Sequence, residues 1–228
     1  MIEFIHKLLL AIHIPAGLIS LILFWIPVGV RKGGATHRKV GRIYYKGMWV
    51  VVITAFLLCL SNVYQGDLMS AVFLGFLSII TAYPLWYSYE ILQQGKVWSD
   101  RYFKVRRIFV GTLFAAGVGI FLLGAIHFQF QDLGIMMAFF GILAFPAGRD
   151  LFLTKVKAMN KESKLKMHIR GTIISGIAAH TAFFAFGGRR LLVDILGMDT
   201  SLMFIPWVMP TLLGVIYAKY MRRKYKAV

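Results

Sequence analysis

Apolar residues run through this chain in long unbroken stretches rather than at every second position or on one helical face. Seven of them, at approximately 4–30, 43–64, 68–92, 107–127, 132–154, 167–187 and 203–220, come close to or exceed the roughly 20 residues a helix needs to cross a hydrocarbon core. Strands of a membrane barrel would alternate instead, and in lipid only helices or closed barrels satisfy the backbone. The pattern predicts an all-α fold: a polytopic membrane helical bundle of seven transmembrane helices, forming a single domain over residues 1–228. No extramembrane domain, internal repeat or low-complexity stretch is visible. The first apolar stretch is longer than a signal-peptide core and lacks a small-residue cleavage site, so it is expected to be retained as a spanning helix.

The polar connections between these stretches differ sharply in charge. The first holds Arg31, Lys32, Arg38, Lys39, Arg42 and Lys46, the third Lys96, Arg101, Lys104, Arg106 and Arg107, and the fifth runs from Arg149 to Arg170. The tail adds Lys219, Arg222, Arg223, Lys224 and Lys226, whereas the second and fourth connections, "QGD" and "HFQFQD", carry no Lys or Arg. The sixth has only Arg189 and Arg190, beside Asp194 and Asp199. By the positive-inside rule the N-terminus is expected outside and the C-terminus in the cytoplasm, which for a bacterial chain means the inner (cytoplasmic) membrane.

Composition agrees with that picture and narrows it. With 59% apolar residues and a mean hydropathy of +0.72, the chain does not suit a soluble surface. A net charge of +17 would suggest nucleic acid in a soluble protein, but here the cations cluster between apolar runs. The expected partners are therefore the lipid bilayer and its anionic headgroups rather than nucleic acid. Cys59 is the one cysteine, so neither an intrachain disulfide nor a cysteine metal site can form, and it reads as a small core residue. Tyr44, Tyr45, Trp49, Trp86, Tyr87 and Trp98 fall toward segment ends and are expected to anchor the interface. Small residues in "GTLFAAGVGIFLLGA" and "GTIISGIAA" allow close helix approach, and Pro15, Pro27, Pro84, Pro146, Pro206 and Pro210 are expected to kink the four spans that hold them.

Polar groups at membrane depth are the candidate chemistry. His13 lies about 15 Å along the first helix, and His180 about 18 Å above His168 on the sixth, taking 1.5 Å per residue. His13 and His180 are thus expected to meet in the middle or outer half, with His37 and His168 forming a second pair near the cytoplasmic ends. His6 and His13, seven apart, fall on nearly one face and with His180 could form an outer metal site. His127 marks the outer end of the fourth helix and reads as an interfacial hydrogen-bonder. Imidazole pairs across helices are what low-spin haem b requires, although His168 and His180 lie about 120° apart around their helix and so do not share a face. Glu90 and Asp150 read as partners of neighbouring arginines. No phosphate loop, nucleophile elbow or dinucleotide fingerprint is present.

The run "IHIPAGLISLILFWIPVGVRKGGATHRKVGRIYYKGMW" resembles a family of multi-pass bacterial membrane proteins designated domain of unknown function 2306, through His13, Gly17 and an H-R-x-x-G-R-x-Y motif at His37, Arg38, Gly41, Arg42 and Tyr44. The segment "MHIRGTIISGIAAHTAFF" is similar to that family's second histidine-bearing helix, which makes His168 the counterpart. The resemblance implies a multi-pass bundle but no particular activity. A weaker likeness, to di-haem transmembrane b-type cytochromes, implies electron transfer.

Three readings follow. In the first, a membrane oxidoreductase or electron-transfer protein, haem b or another metal is held by His13 with His180 and by His37 with His168. Arg38, Arg42 and Arg170 then neutralise propionates or the headgroup of a quinone, a redox partner. In the second, the histidines serve a proton-coupled transporter or a small-molecule sensor without cofactor, and in the third they only join helices. On any of them His37, Arg38, Arg42 and Tyr44 are expected to face the bundle. Oligomeric state is not readable.

Overall fold

A computed structural model describes residues 1–95, 97–126, 134, 137–145, 161–184, 188, 195, 197 and 205–224. Seven helices stand among the described residues: α1 (Ile2–Gly29), α2 (Ala35–Tyr64), α3 (Leu68–Gln93), α4 (Asp100–Ile126), α5 (137–145), α6 (Lys161–Ala182) and α7 (Ile205–Lys224). Four of them, α1 to α4, are long and apolar enough to cross a membrane, which is compatible with an integral membrane protein. His127, Asp150, Pro146 and the lysines between α5 and α6 lie outside the described residues.

Short connections make the first three helices antiparallel neighbours. Gly33 and Gly66 turn the chain between them at φ of 74° and 80°, a left-handed conformation that costs glycine nothing. Asp67 then starts α3 by accepting the Ser70 backbone N–H at 3.1 Å, an N-cap. At the other end of α1, Lys32 donates to the carbonyls of Pro27 and Val28 at 2.7 and 2.6 Å and so satisfies the last turn. α3 occupies the centre, packed against α2, α4 and α6, while α1 lies mainly on α2 and α7 on α6.

Helix boundaries differ from the apolar stretches in one consistent way. At the basic end of the bundle α2 begins eight residues before its apolar stretch, α4 seven and α6 six. Lys and Arg are good helix formers with long stems that reach water, so the helices continue past their apolar stretches instead of ending with them. His37, Arg38 and Arg42 consequently sit on the first turns of α2, not in a loop.

Large apolar side chains lie on the outside of the bundle as well as inside it. Ile12, Ile19, Ile22, Ile53, Phe56 and Leu213 are exposed, whereas Ser20, Ser88, Ser175 and Thr181 are buried. Such a surface suits lipid, which has no preference for keeping polar groups outermost. Several aromatic residues depart from the interfacial role expected of them: Tyr44, Tyr45, Tyr87 and Trp98 are buried, because their rings fill the gaps between α1, α2, α3 and α6 or beside α4. Pro15, Pro27, Pro84 and Pro210 lie inside helices. Cys59 is half-buried, and a Cβ on Gly75 of α3 would stand 3.1 Å from its Sγ.

α4 and α5 meet through glycine. A Cβ on Gly124 would stand 2.5 Å from the Ala138 backbone nitrogen and 2.6 Å from the Gly134 carbonyl oxygen. One on Gly141 would meet the Phe121 backbone at 2.8 Å. Small residues thus bring the two backbones together, as the glycine-rich α4 sequence predicts.

Candidate functional site

Polar side chains recur every seven residues on the face of α1 that meets α2. His6 Nδ1 lies 3.0 Å from Ser61 Oγ, and His13 Nδ1 lies 2.8 Å from Thr54 Oγ1. Ser20 follows, buried against Gly47, where any Cβ would stand 2.5 Å from the serine Oγ. Each step of seven down α1 is matched by seven back along α2, the register of two antiparallel helices supercoiled with a heptad period. The rungs span about 21 Å of helix at 1.5 Å per residue.

Toward the basic end the seam widens to include α3 and α6. Ser88 gives its proton to the Leu85 carbonyl at 3.0 Å, so Tyr45 O–H donates to Ser88 Oγ at 2.7 Å. Thr172 in turn donates to the Tyr45 oxygen at 2.8 Å. Beside this chain Tyr44 O–H donates to Ser175 Oγ at 2.9 Å, and Ser175 to the Thr172 carbonyl. Three helices are therefore joined by hydroxyls whose donors and acceptors are all assigned by the carbonyls at their ends.

The same accounting fixes the imidazole tautomers. His37 Nδ1 can only donate to the Pro27 carbonyl, at 3.2 Å, and His168 Nδ1 only to the Ser88 carbonyl, at 2.8 Å. Thr54 already gives its proton to the Val50 carbonyl, so His13 Nδ1–H donates to Thr54 Oγ1. In all three the lone pair is left on Nε2. His180 donates from Nδ1 to the Gly176 carbonyl at 2.7 Å, but its Nε2 accepts Trp25 Nε1–H at 3.0 Å, so both ring nitrogens are engaged. His6 has the other tautomer, since the Gln65 amide donates to its Nδ1 at 3.2 Å.

These placements rearrange the pairs expected from depth alone. His180 packs on Phe24 and Trp25. Trp25 is twelve residues, or about 18 Å, along α1 from His13, so His13 and His180 do not meet. His6, His13 and His180 accordingly occupy three levels, and among the described residues no group of three metal-ligating side chains converges. His37 and His168 are held by different carbonyls, those of Pro27 on α1 and Ser88 on α3. Of the motif residues, His37 is half-buried and Tyr44 buried, but Arg38, Arg42 and Arg170 are exposed, because α2 and α6 turn those positions outward. Glu90 accepts the Gln94 amide at 3.2 Å.

Tyr45, Ser88, Thr172 and Ser175 were not legible as site residues. The available signal was small hydroxyl side chains inside spans, where each must find a partner within the bundle. No family model matches this chain, and neither a curated protein nor a solved structure does.

Proposed function

We propose that the chain is a seven-span membrane protein, N-terminus outside, that moves protons along the α1–α2 seam in company with a solute, without a resident cofactor. The observation that carries this reading is the heptad of His6, His13 and Ser20, continued by the Tyr44 and Tyr45 hydroxyl chains toward His168 and His37. Ionisable side chains at membrane depth are costly and mark proton relays. His13 fits that role chemically: its Nδ1 is held by Thr54, and its Nε2 lone pair accepts a proton. Successive rungs lie about 10.5 Å apart at seven residues of 1.5 Å, so water must bridge them. The alternating basic connections support the topology.

The test is proton flux into vesicles reconstituted with the purified chain and loaded with a pH-sensitive dye, under an imposed potential. Flux above that of empty vesicles is expected, with His13→Ala lowering it at least about tenfold. Flux indistinguishable from empty vesicles, or unchanged in His13→Ala, would sink the proposal.

A second reading, redox chemistry, is favoured by one feature. His37 and His168 each donate Nδ1–H to a backbone carbonyl, the outer contact that orients a metal-ligating imidazole. Among the described residues no histidine lines either of two cavities in the bundle. The visible spectrum before and after dithionite, with elemental analysis, decides it. A Soret band lost in His37→Ala and His168→Ala would replace the proton reading by this one; a colourless, metal-free protein that still conducts would exclude it.

A further inference from the structure

Hydroxyl side chains inside these helices mostly satisfy themselves. Thr54, Ser78, Ser88 and Ser175 each give their proton to a backbone carbonyl three or four residues earlier, the usual resort of serine and threonine within a helix. Thr181 of α6 does not: it is 3% exposed, and its Oγ1 makes no hydrogen bond among the described residues. Ser20 shares that condition but abuts Gly47, whereas Thr181 lines a cavity of about 430 Å³ between α3, α4, α5, α6 and α7. That volume is within the range of small-molecule pockets.

A buried hydroxyl without a partner is costly, and an acceptor oxygen entering the cavity relieves that cost. Thr211 adds a second hydroxyl to the lining from α7, about one turn from Gly214, where α7 lies against Ile177 of α6. Thr181 is likewise about one turn from Ile177. The α6 wall beyond it is apolar, through Ile173, Ile174, Ile177 and Ala178. The charged residues among the described lining are engaged or distant. Arg106 Nε donates to Tyr83 Oη, and Arg170 is exposed eleven residues, or about 16 Å, along α6 from Thr181. A charge brought to Thr181 would lose its water among these apolar side chains, so the group that suits the hydroxyl is neutral.

We infer that this cavity binds a neutral apolar molecule through one oxygen, which accepts the Thr181 hydroxyl proton. A carbonyl and an alcohol share that acceptor chemistry, and the two are compared directly in the test. The site uses none of the α1–α2 seam residues, so it stands or falls separately from proton movement.

The test is equilibrium binding of tritiated 2-dodecanone to the purified full chain in detergent micelles, read against empty micelles, with 1-dodecanol, dodecane and dodecanoate as competitors in mildly alkaline buffer. One ketone per chain is expected, displaced by the alcohol but about tenfold more weakly by dodecane and by the ionised acid. The tighter of ketone and alcohol names the oxygen. Thr181→Val keeps the shape and removes the hydroxyl; it is expected to lower ketone affinity to that of dodecane, while the unliganded variant melts no lower than wild type because no hydrogen bond is lost. Ala178→Phe, which fills the cavity, is expected to abolish binding, and Ile174→Trp serves the same purpose if that variant does not fold. Equal binding of ketone and dodecane, tightest binding of dodecanoate, or no saturable binding over empty micelles would each overturn the assignment. So would a Thr181→Val variant that keeps its ketone affinity or melts well below wild type, or full binding in a folded, cavity-filled variant.

Discussion

Tyr45→Ala is expected to destabilise the bundle by about 3–5 kcal/mol, measured by reversible unfolding of the purified chain in mixed micelles. The side chain is 7% exposed and its ring packs on Tyr44 of α2 and Tyr89 of α3, so its removal leaves a void between these helices. Lipid offers helices little hydrophobic reason to associate, which leaves packing and interhelical hydrogen bonds to hold them. Tyr45 supplies both, through its ring and through the hydroxyl shared by Ser88 and Thr172. Tyr45→Phe separates the two contributions: it keeps the ring, breaks the chain of hydroxyls and is expected to cost only about 1 kcal/mol. A phenylalanine variant as unstable as the alanine variant would place the energy in the hydroxyl chain, and two variants as stable as wild type would show that α6 is not docked through this residue.

Gly124→Leu is expected to force α4 and α5 apart at a cost of about 1–3 kcal/mol or more. The neighbours of a Cβ at this position are backbone atoms of Gly134 and Ala138, which cannot rotate away as a side chain would. Gly119, on the same helix, has open space where its Cβ would go. Gly119→Leu is therefore the matched control, expected to unfold with wild-type stability. Equal effects of the two substitutions would mean that the close approach of α5 does not set a requirement for glycine at position 124.

Much of the architecture was legible because continuous apolarity needs no knowledge of which face is inward. α1 to α4 follow directly from it, and so does the all-α class. Helix lengths at the basic end were not legible, since hydropathy reports where an apolar stretch ends and α2 and α6 extend beyond theirs. The histidine pairs show the same division. The spacing of His6 and His13 gave one face of α1 correctly, because both lie on one helix. The level at which α6 meets α1 depends on packing, through Phe24 lying against Gly176 and Trp25 against His180, and depth arithmetic contains none of that. Tyr44 and Tyr45 read as interfacial anchors because aromatic rings near a span end usually are. Their partners, Ser175, Ser88 and Thr172, lie 43 to 131 residues away and leave no local signal.

The helix ends that extend beyond the apolar stretches also set the charge of one end of the bundle. Burial and the nearby charge of Lys224 both hold the Lys32 ammonium below its usual lysine pKa, so the first connection and the end of α7 present mutually repelling cations. A fixed positive field of this kind enriches anions and depletes hydrated cations, protons included, within about a Debye length, near 10 Å at 0.1 M salt. The basic end of the bundle therefore gathers anions in dilute salt and releases them toward their bulk concentration in concentrated salt.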